Sequence, residues 1–376
     1  MQIICLKCGL FAYFVINYMQ ITHLGGQIMR KFDYTFLKDL YVPTSFLGLT
    51  NKIYELRSVE EEKKRMYPDM FTSLQKIAVV QSVKGSNAIE GIITTDKRIE
   101  EIVNQSSAPL NHSEREIAGY RDALNMIHEG YEDLSLSEET ALGLHTVLLS
   151  QTGLEDGGKY KVEDNAIYER FADGSMQIRW NPVSAKETPA AMKQLFYAYS
   201  AARNDAGIDQ LLLIPCFVLD FLCIHPFSDG NGRMSRLLSL LLLYKNRFDI
   251  SKYISFEEQI NLMKGEYYEA LKSSSYGWHE NSNDYIPFME NFLLSLYLCY
   301  KELDKRFLTL GSKKVNKRER VENALMNAFI PISKKEICRL FPDISVTTVE
   351  TVISSLLKEG RIKKIGTTRD ARYIKT

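Results

Sequence analysis

Cysteine is scarce in this 376-residue chain: six scattered residues, too few for a disulfide framework. Cys5 and Cys8 make one Cys-x-x-Cys, but no second pair at zinc spacing follows, so both read as reduced thiols rather than metal ligands. Net charge is missing as well. Forty-seven Lys and Arg balance 47 Asp and Glu, so the total charge points to no class of partner. Within the chain no apolar run reaches the roughly 20 residues a helix needs to span a bilayer. The two strongest, 211–224 with Asp220 inside it and 237–244, read as buried core helices. No internal repeat or low-complexity stretch is present, which removes solenoids and repeat arrays. The first 28 residues are apolar and aromatic but lack a basic start and a small-residue cleavage site, so they do not read as a secretory signal. Met29 onward (MRKFDYTFLKDLY) reads as an ordinary protein start, with the preceding segment as an extension that need not be native. The competing reading of that segment is a membrane anchor; a cytoplasmic protein with no membrane contact is the expectation.

What is present is mostly helical pattern. The length exceeds what one compact core usually holds, so two or three domains are expected. After the 1–28 extension, 29–110 carries helical signals; in 71–88 Leu74, Ile77, Ala78 and Val80 recur near the helical period. A helix is expected over 111–129 with a cap at Ser113, and another capped by Ser135 or Ser137 and ending near Ser150. The pattern changes over 153–182, where several glycines, an Asp-Gly pair and short aromatic stretches predict a β-hairpin turning at 172–175. Helices resume over 185–203, 209–224 and 233–245 and continue to about Leu310. The expected fold class is mainly α, with a helical core over 111–310 and one inserted hairpin.

The segment 311–376 differs in charge. From Ser312 onward about 15 Lys and Arg face about 7 Asp and Glu, which leaves the rest of the chain acidic. Three helices are predicted in order, over 317–329, 333–340 and 346–359, stopped by Gly360 and followed by a basic hairpin with Gly366 near its tip. That is the order of a winged helix-turn-helix. It predicts DNA contact, with Thr347 and Thr348 early on the recognition helix and Lys363, Lys364, Arg369 and Arg372 on phosphates. A solubilising or protein-docking face is the other reading of the same charge.

The chemistry concentrates in HPFSDGNGRMSR, residues 225–236, between the two apolar helices. Gly230, Asn231 and Gly232 form a loop with unshielded backbone N–H groups. A helix opening at Arg233 adds its positive dipole end, and together these make an anion cradle. Arg233 and Arg236 supply two forked cations suited to phosphate. Asp229 offers a hard oxygen ligand, and Mg²⁺ on a polyphosphate needs only one or two carboxylates. His225, at the preceding helix end, can take a proton from a hydroxyl. Taken singly these are a helix end, a turn and a solvated face; in this order they make a phosphoryl or nucleotidyl transfer site.

The segment resembles the Fic family signature HxFx(D/E)GNGRxxR, with every specified position present. The resemblance implies a Fic helical core with the hairpin as its flap, aligning a protein target as an added strand near 159–180. It assigns His225 as general base and Asp229 as Mg²⁺ ligand. Gly230, Asn231, Gly232 and Arg233 would hold the α- and β-phosphates, and Arg236 would reach the γ-phosphate of ATP. The family's tyrosine pair has a counterpart in Tyr267 and Tyr268, where one ring would meet adenine; a buried core pair is the plainer reading. SNAIEG at 86–91 resembles the family's inhibitory motif, (S/T)xxxE(G/N), and implies that Ser86 and Glu90 restrain the site through Arg236. The activity implied is transfer of AMP from ATP to a Tyr, Thr or Ser hydroxyl of an unidentified protein target, or of the chain itself, in a possible homodimer. Removal of AMP, transfer of another nucleotide, and a DNA-binding regulator using the site as a nucleotide sensor are the alternatives.

Overall fold

The computed structural model describes residues 3–6, 30–170, 173–311, 317–326, 328, 331–341, 344–366 and 371–376. Strand β1 (Ile3–Leu6) precedes helices α1 (Thr44–Met66), α2 (Pro68–Ile89), α3 (Asp96–Val103), α4 (His112–Gly130) and α5 (Glu138–Leu149). The hairpin β2 (Ala166–Arg170) and β3 (Met176–Trp180) leads to α6 (Thr188–Arg203), α7 (Gln210–Ile224), α8 (Asn231–Lys245), α9 (Phe256–Leu262), α10 (Lys264–Ser275) and α11 (Ile286–Gly311). Then follow α12 (Lys317–Met326), β4 (Ile332–Ser333), α13 (Lys334–Leu340), α14 (Val346–Lys358), β5 (Ile362–Ile365) and β6 (Arg372–Lys375). The fold is mainly helical, with two small antiparallel sheets.

Short polar side chains set many of the helix starts. Ser137, Asp209 and Ser255 cap α5, α7 and α9 by accepting backbone N–H groups, and Ser333 with Glu336 forms a capping box on α13. The expected cap at Ser113 is replaced by Asn111, whose Oδ1 accepts from Glu114 N–H at 2.9 Å; the helix begins at His112, which puts Ser113 inside its first turn.

The apolar runs at 211–224 and 237–244 lie in α7 and α8, buried on nearly every side. Helices α6, α10 and α11 cover α7, while α2, α4 and α5 pack on α8. Continuous burial explains why neither run alternates with polar residues. Helix α1 lies on α11, and α2 lies against α9 and α4, so one hydrophobic core runs from Phe32 to Leu303. Asp220, fully buried in α7, ties three segments together. It accepts from Tyr34 Oη at 2.7 Å, Trp278 Nε1 at 2.6 Å and Tyr285 Oη at 2.9 Å, with Arg30 Nη2 at 3.4 Å. Burial raises its carboxyl above the ordinary range while Arg30 and the three donors oppose that rise.

The predicted hairpin is present, with Asp173 accepting the Ser175 N–H at 2.9 Å and Gly174 at φ +86° in the turn. Residues 171–172 of that turn lie outside the described residues. Strand β1 pairs antiparallel with the other edge of β2. The rest of the N-terminal extension, Cys8 included, is also outside the described residues, and nothing of Cys5's side chain is described.

A second, smaller core gathers Val321, Leu325, Ile337, Phe341, Val349, Val352, Leu356 and Ile362. Here the three helices occur in the expected order, though the first ends at Met326. The hairpin β5–β6 gains a third strand the sequence did not reveal, giving the order β4-β6-β5. Gly360 closes α14 at φ +67°. Arg369 lies outside the described residues. Among the described residues no helix is long and apolar enough to cross a membrane.

Candidate active site

His225 ends α7 in the left-handed conformation, φ 51° and ψ 62°, a backbone state uncommon for a residue with a side chain. The helix stops there, and the imidazole lines a cavity. Burial holds the imidazole down to about 3, with the Lys161 ammonium adding to the shift and the Leu222 carbonyl opposing it. The ring is therefore neutral at physiological pH, the state a proton acceptor requires. Lys161 is buried with its Nζ donating to Asn165 Oδ1 at 2.8 Å, and its backbone N–H donates to the Pro226 carbonyl at 2.9 Å.

The loop after His225 is held from inside. Asn231 uses its whole side-chain amide on Phe227, accepting from its N–H at 2.9 Å and donating to its carbonyl at 2.8 Å. His145 of α5 stacks on Phe227 at 3.7 Å, accepts from Gly158 N–H at 3.1 Å, and so presents Nε2–H to the Asp229 carbonyl at 3.1 Å. Burial keeps His145 down at about 4. The helix opens two residues earlier than expected, at Asn231, because Gly230 takes the cap position at φ +80°, where a side chain would be strained. The first intrahelical bond is Met234 N–H to the Gly230 carbonyl at 2.8 Å. Among the described residues no acceptor meets the N–H groups of Asn231, Gly232 and Arg233, so the cradle stands open for an anion.

The two arginines turn to different partners instead of sharing a solvated face. Arg233 is buried, with Nη2 at 3.0 Å from Asp229 Oδ2 and 3.1 Å from Glu116 Oε1. Its Nε and Nη1 are buried without an acceptor among the described residues. Asp229 is half exposed with one oxygen on Arg233. A carboxylate so placed beside an anion cradle fits the single protein ligand that Mg²⁺ on a polyphosphate uses.

Arg236 reaches the other way. Its Nε donates to Ser86 Oγ at 2.8 Å and its Nη2 to the Ser86 carbonyl at 2.9 Å and Glu90 Oε1 at 2.8 Å. Burial disfavours its charge, but Glu90 and the neighbouring Tyr267 and Tyr120 outweigh that and hold it above its ordinary range. Glu90 ends α2 and stands directly over the loop: a Cβ added to Gly232 would come within 2.1 Å of Glu90 Oε1. Only glycine admits the carboxylate there. The Glu90 carboxylate thus stands beside the first turn of α8, bound to Arg236 and leaving the N–H groups of 231–233 without an acceptor among the described residues.

Part of this arrangement borders a cavity of about 690 Å³, its open mouth included. Glu90, His225, Gly232 and Arg236 line it, with Tyr267, Tyr268, Leu271, Ile167 and Arg179 forming a less polar end. Tyr268 is buried and packed on Tyr267 at 5.4 Å, as a core pair would be, and it also lines the cavity, with its Oη donating to the Ile89 carbonyl at 3.4 Å. Sequence reasoning missed Glu116, His145, Lys161 and Arg179. Each stands at an ordinary helix, loop or strand position, far along the chain from the residue it meets, and nothing local marks it.

A neutral buried imidazole, a helix N-terminus with free N–H groups, two buried guanidiniums and one half-exposed carboxylate are brought together around this loop. Residues 135–243 match the Fic/DOC family, and the chain carries a Fic/DOC domain there. That family is known for nucleotide transfer to proteins. The fold is also similar to solved Fic proteins. A Fic family protein from Desulfovibrio desulfuricans is 19% identical, with a TM-score of 0.58 over 90% of this chain and 97% of that one. A Fic domain containing signaling protein from Bacteroides thetaiotaomicron is 21% identical, with a TM-score of 0.54 over 68% and 97%. Fic-1 from C. elegans is 17% identical, with a TM-score of 0.54 over 71% and 75%.

Proposed function

We propose that the protein transfers AMP from ATP to a hydroxyl side chain of a protein, and that Glu90 restrains it. The observation that carries this reading is the Glu90 carboxylate bound to Arg236 directly above the open N-terminus of α8, in the cavity that holds His225. In the productive state the backbone N–H groups of 231–233 and the spare Nε and Nη1 of Arg233 hold the α- and β-phosphates, and Arg236 holds the γ-phosphate. Asp229 would hold Mg²⁺, which when bound neutralises phosphate charge. His225, with Nδ1 buried, uses Nε2 to accept the hydroxyl proton of the target. The hydroxyl oxygen bonds to the α-phosphorus, the bond from that phosphorus to the bridging oxygen breaks, and pyrophosphate leaves. The less polar end between Tyr268 and Leu271 suits the adenine ring, and the β2–β3 hairpin suits an extended target segment. While Glu90 occupies Arg236, the γ-phosphate has no partner and the triphosphate cannot settle in this pose.

The test uses ATP labelled at the α-phosphate with wild type, Glu90→Gly and Glu90→Gly/His225→Ala, with lysate added as a source of target. Label strong in the single variant, weak in wild type and absent in the double variant is expected. No label in any sample sinks the reading and favours another nucleotide.

The C-terminal unit supports a second activity. Lys363 and Lys364 are exposed on β5, which suits phosphate contacts by a wing. Thr347 is exposed on α14 and Thr348 half-buried, but that helix also exposes Glu350, paired with Lys334 at 2.7 Å. DNA binding by 311–376 should fall steeply with added salt; a flat response removes it.

A further inference from the structure

We infer that Glu116 is the fixed counter-charge of Arg233, a positioning residue that keeps this guanidinium in place when Asp229 turns to another partner. The inference rests on the nucleotide-transfer reading of the loop and names a residue outside it. Two carboxylates share Arg233 Nη2 at nearly equal distance, 3.1 Å for Glu116 and 3.0 Å for Asp229. Their settings differ. The Asp229 side chain is 49% exposed and sits on the loop beside the phosphate cradle, whereas the Glu116 side chain is 11% exposed and belongs to a helix.

That helix is anchored close to Glu116. Asn111 caps α4, and Glu114 accepts from the Leu110 N–H at 2.8 Å and from Arg98 Nη2 at 2.7 Å. Glu116 therefore comes from a rigid element, and Asp229 from the part of the site that must adapt. Removing one partner of a buried guanidinium is unfavourable, so if Asp229 is drawn to Mg²⁺, a second carboxylate on Nη2 keeps the group paired and in place while phosphate binds. Glu116 is the one left. Its attachment to Nη2 also leaves Nε and Nη1, the two buried donors without an acceptor among the described residues, for phosphate oxygens.

The test measures ATP binding by calorimetry in the Glu90→Gly background, with Mg²⁺ and separately with EDTA, for Glu116 and for Glu116→Gln. With Mg²⁺ present, Glu116→Gln is expected to weaken ATP about tenfold. In EDTA, with Asp229 still on Arg233, the loss is expected to stay within about twofold. Glu116→Asp, which keeps the charge, should recover part of the Mg²⁺-dependent loss, and thermal melts of all variants check folding. Equal weakening in both conditions identifies a merely structural role and overturns the inference, as does no weakening in either. Failure of the parent Glu90→Gly protein to bind ATP at all overturns the nucleotide-transfer reading itself, a result distinct from either.

Discussion

The two ends of the molecule handle charge in opposite ways. Around the loop at 225–236, cations are buried and met by carboxylates from distant segments: Arg236 by Glu90, Arg233 by Glu116, Arg30 by Asp220. In the C-terminal unit the ion pairs Lys334–Glu350, Arg361–Glu322 and Arg372–Glu336 lie in or near solvent. Breaking a buried pair costs about 3–5 kcal/mol, whereas an exposed pair is worth roughly 0–1 kcal/mol. The charges of the core are therefore locked unless another ion replaces the partner, which is what a ligand-controlled site needs. Those of the tail act through a long-range field and can change at little cost.

The largest effect expected is chemical. In the Glu90→Gly background, His225→Ala should lower transfer by about 10²–10⁴-fold, read as rate of label incorporation, while ATP binding changes little. Release of Arg236 comes next: Glu90→Gly should raise transfer over wild type by about a hundredfold, corresponding to about 3 kcal/mol of competing pair. Equal rates would break the contrast between locked core charges and free tail charges. Asp220→Ala should destabilise the core by about 3–5 kcal/mol in chemical denaturation, since four donors lose their acceptor.

Acid should act on the core through its imidazoles. Burial holds His128 and His145 down to about 4 and His225 to about 3, against 6.5 for the free side chain. Below pH 6.5 the unfolded chain takes up protons that the folded chain refuses, so stability falls as pH falls from 6.5 towards 4. The loss is roughly 3 kcal/mol per imidazole. Glu60, pushed by burial up to about 8, runs the other way between 4.5 and 8 and offsets about one of the three. A melting temperature that stays flat or rises on acidification from 6.5 to 4 would contradict this balance. At the small end, Lys334→Ala in the tail should shift stability by less than about 1 kcal/mol. A larger shift would remove the distinction between the two regions.

How much was legible in the sequence follows from the same contrast. The loop was readable because its histidine, carboxylate, glycines and arginines lie within 12 consecutive positions and are arranged by local backbone geometry. The hairpin and most helix spans were readable from glycines, polar caps and period. Glu116, His145 and Lys161 were not, because each acts across the core from a position whose neighbours look like any amphipathic helix or loop. Strand β4 is two residues long and gains its identity only by pairing with β6. The cap of α4 was misplaced by two positions because Asn111 and Ser113 are both good acceptors, and only the turn geometry chooses between them.

The most direct test of the central claim gives Glu90→Gly two separate ATP samples, one labelled at the α-phosphate and one at the γ-phosphate, and follows which label becomes bound to protein. Transfer of AMP puts the α-label on protein and releases the γ-label as pyrophosphate. Bound γ-label with none from the α-position would show phosphoryl transfer instead and contradict the role given to the α8 cradle.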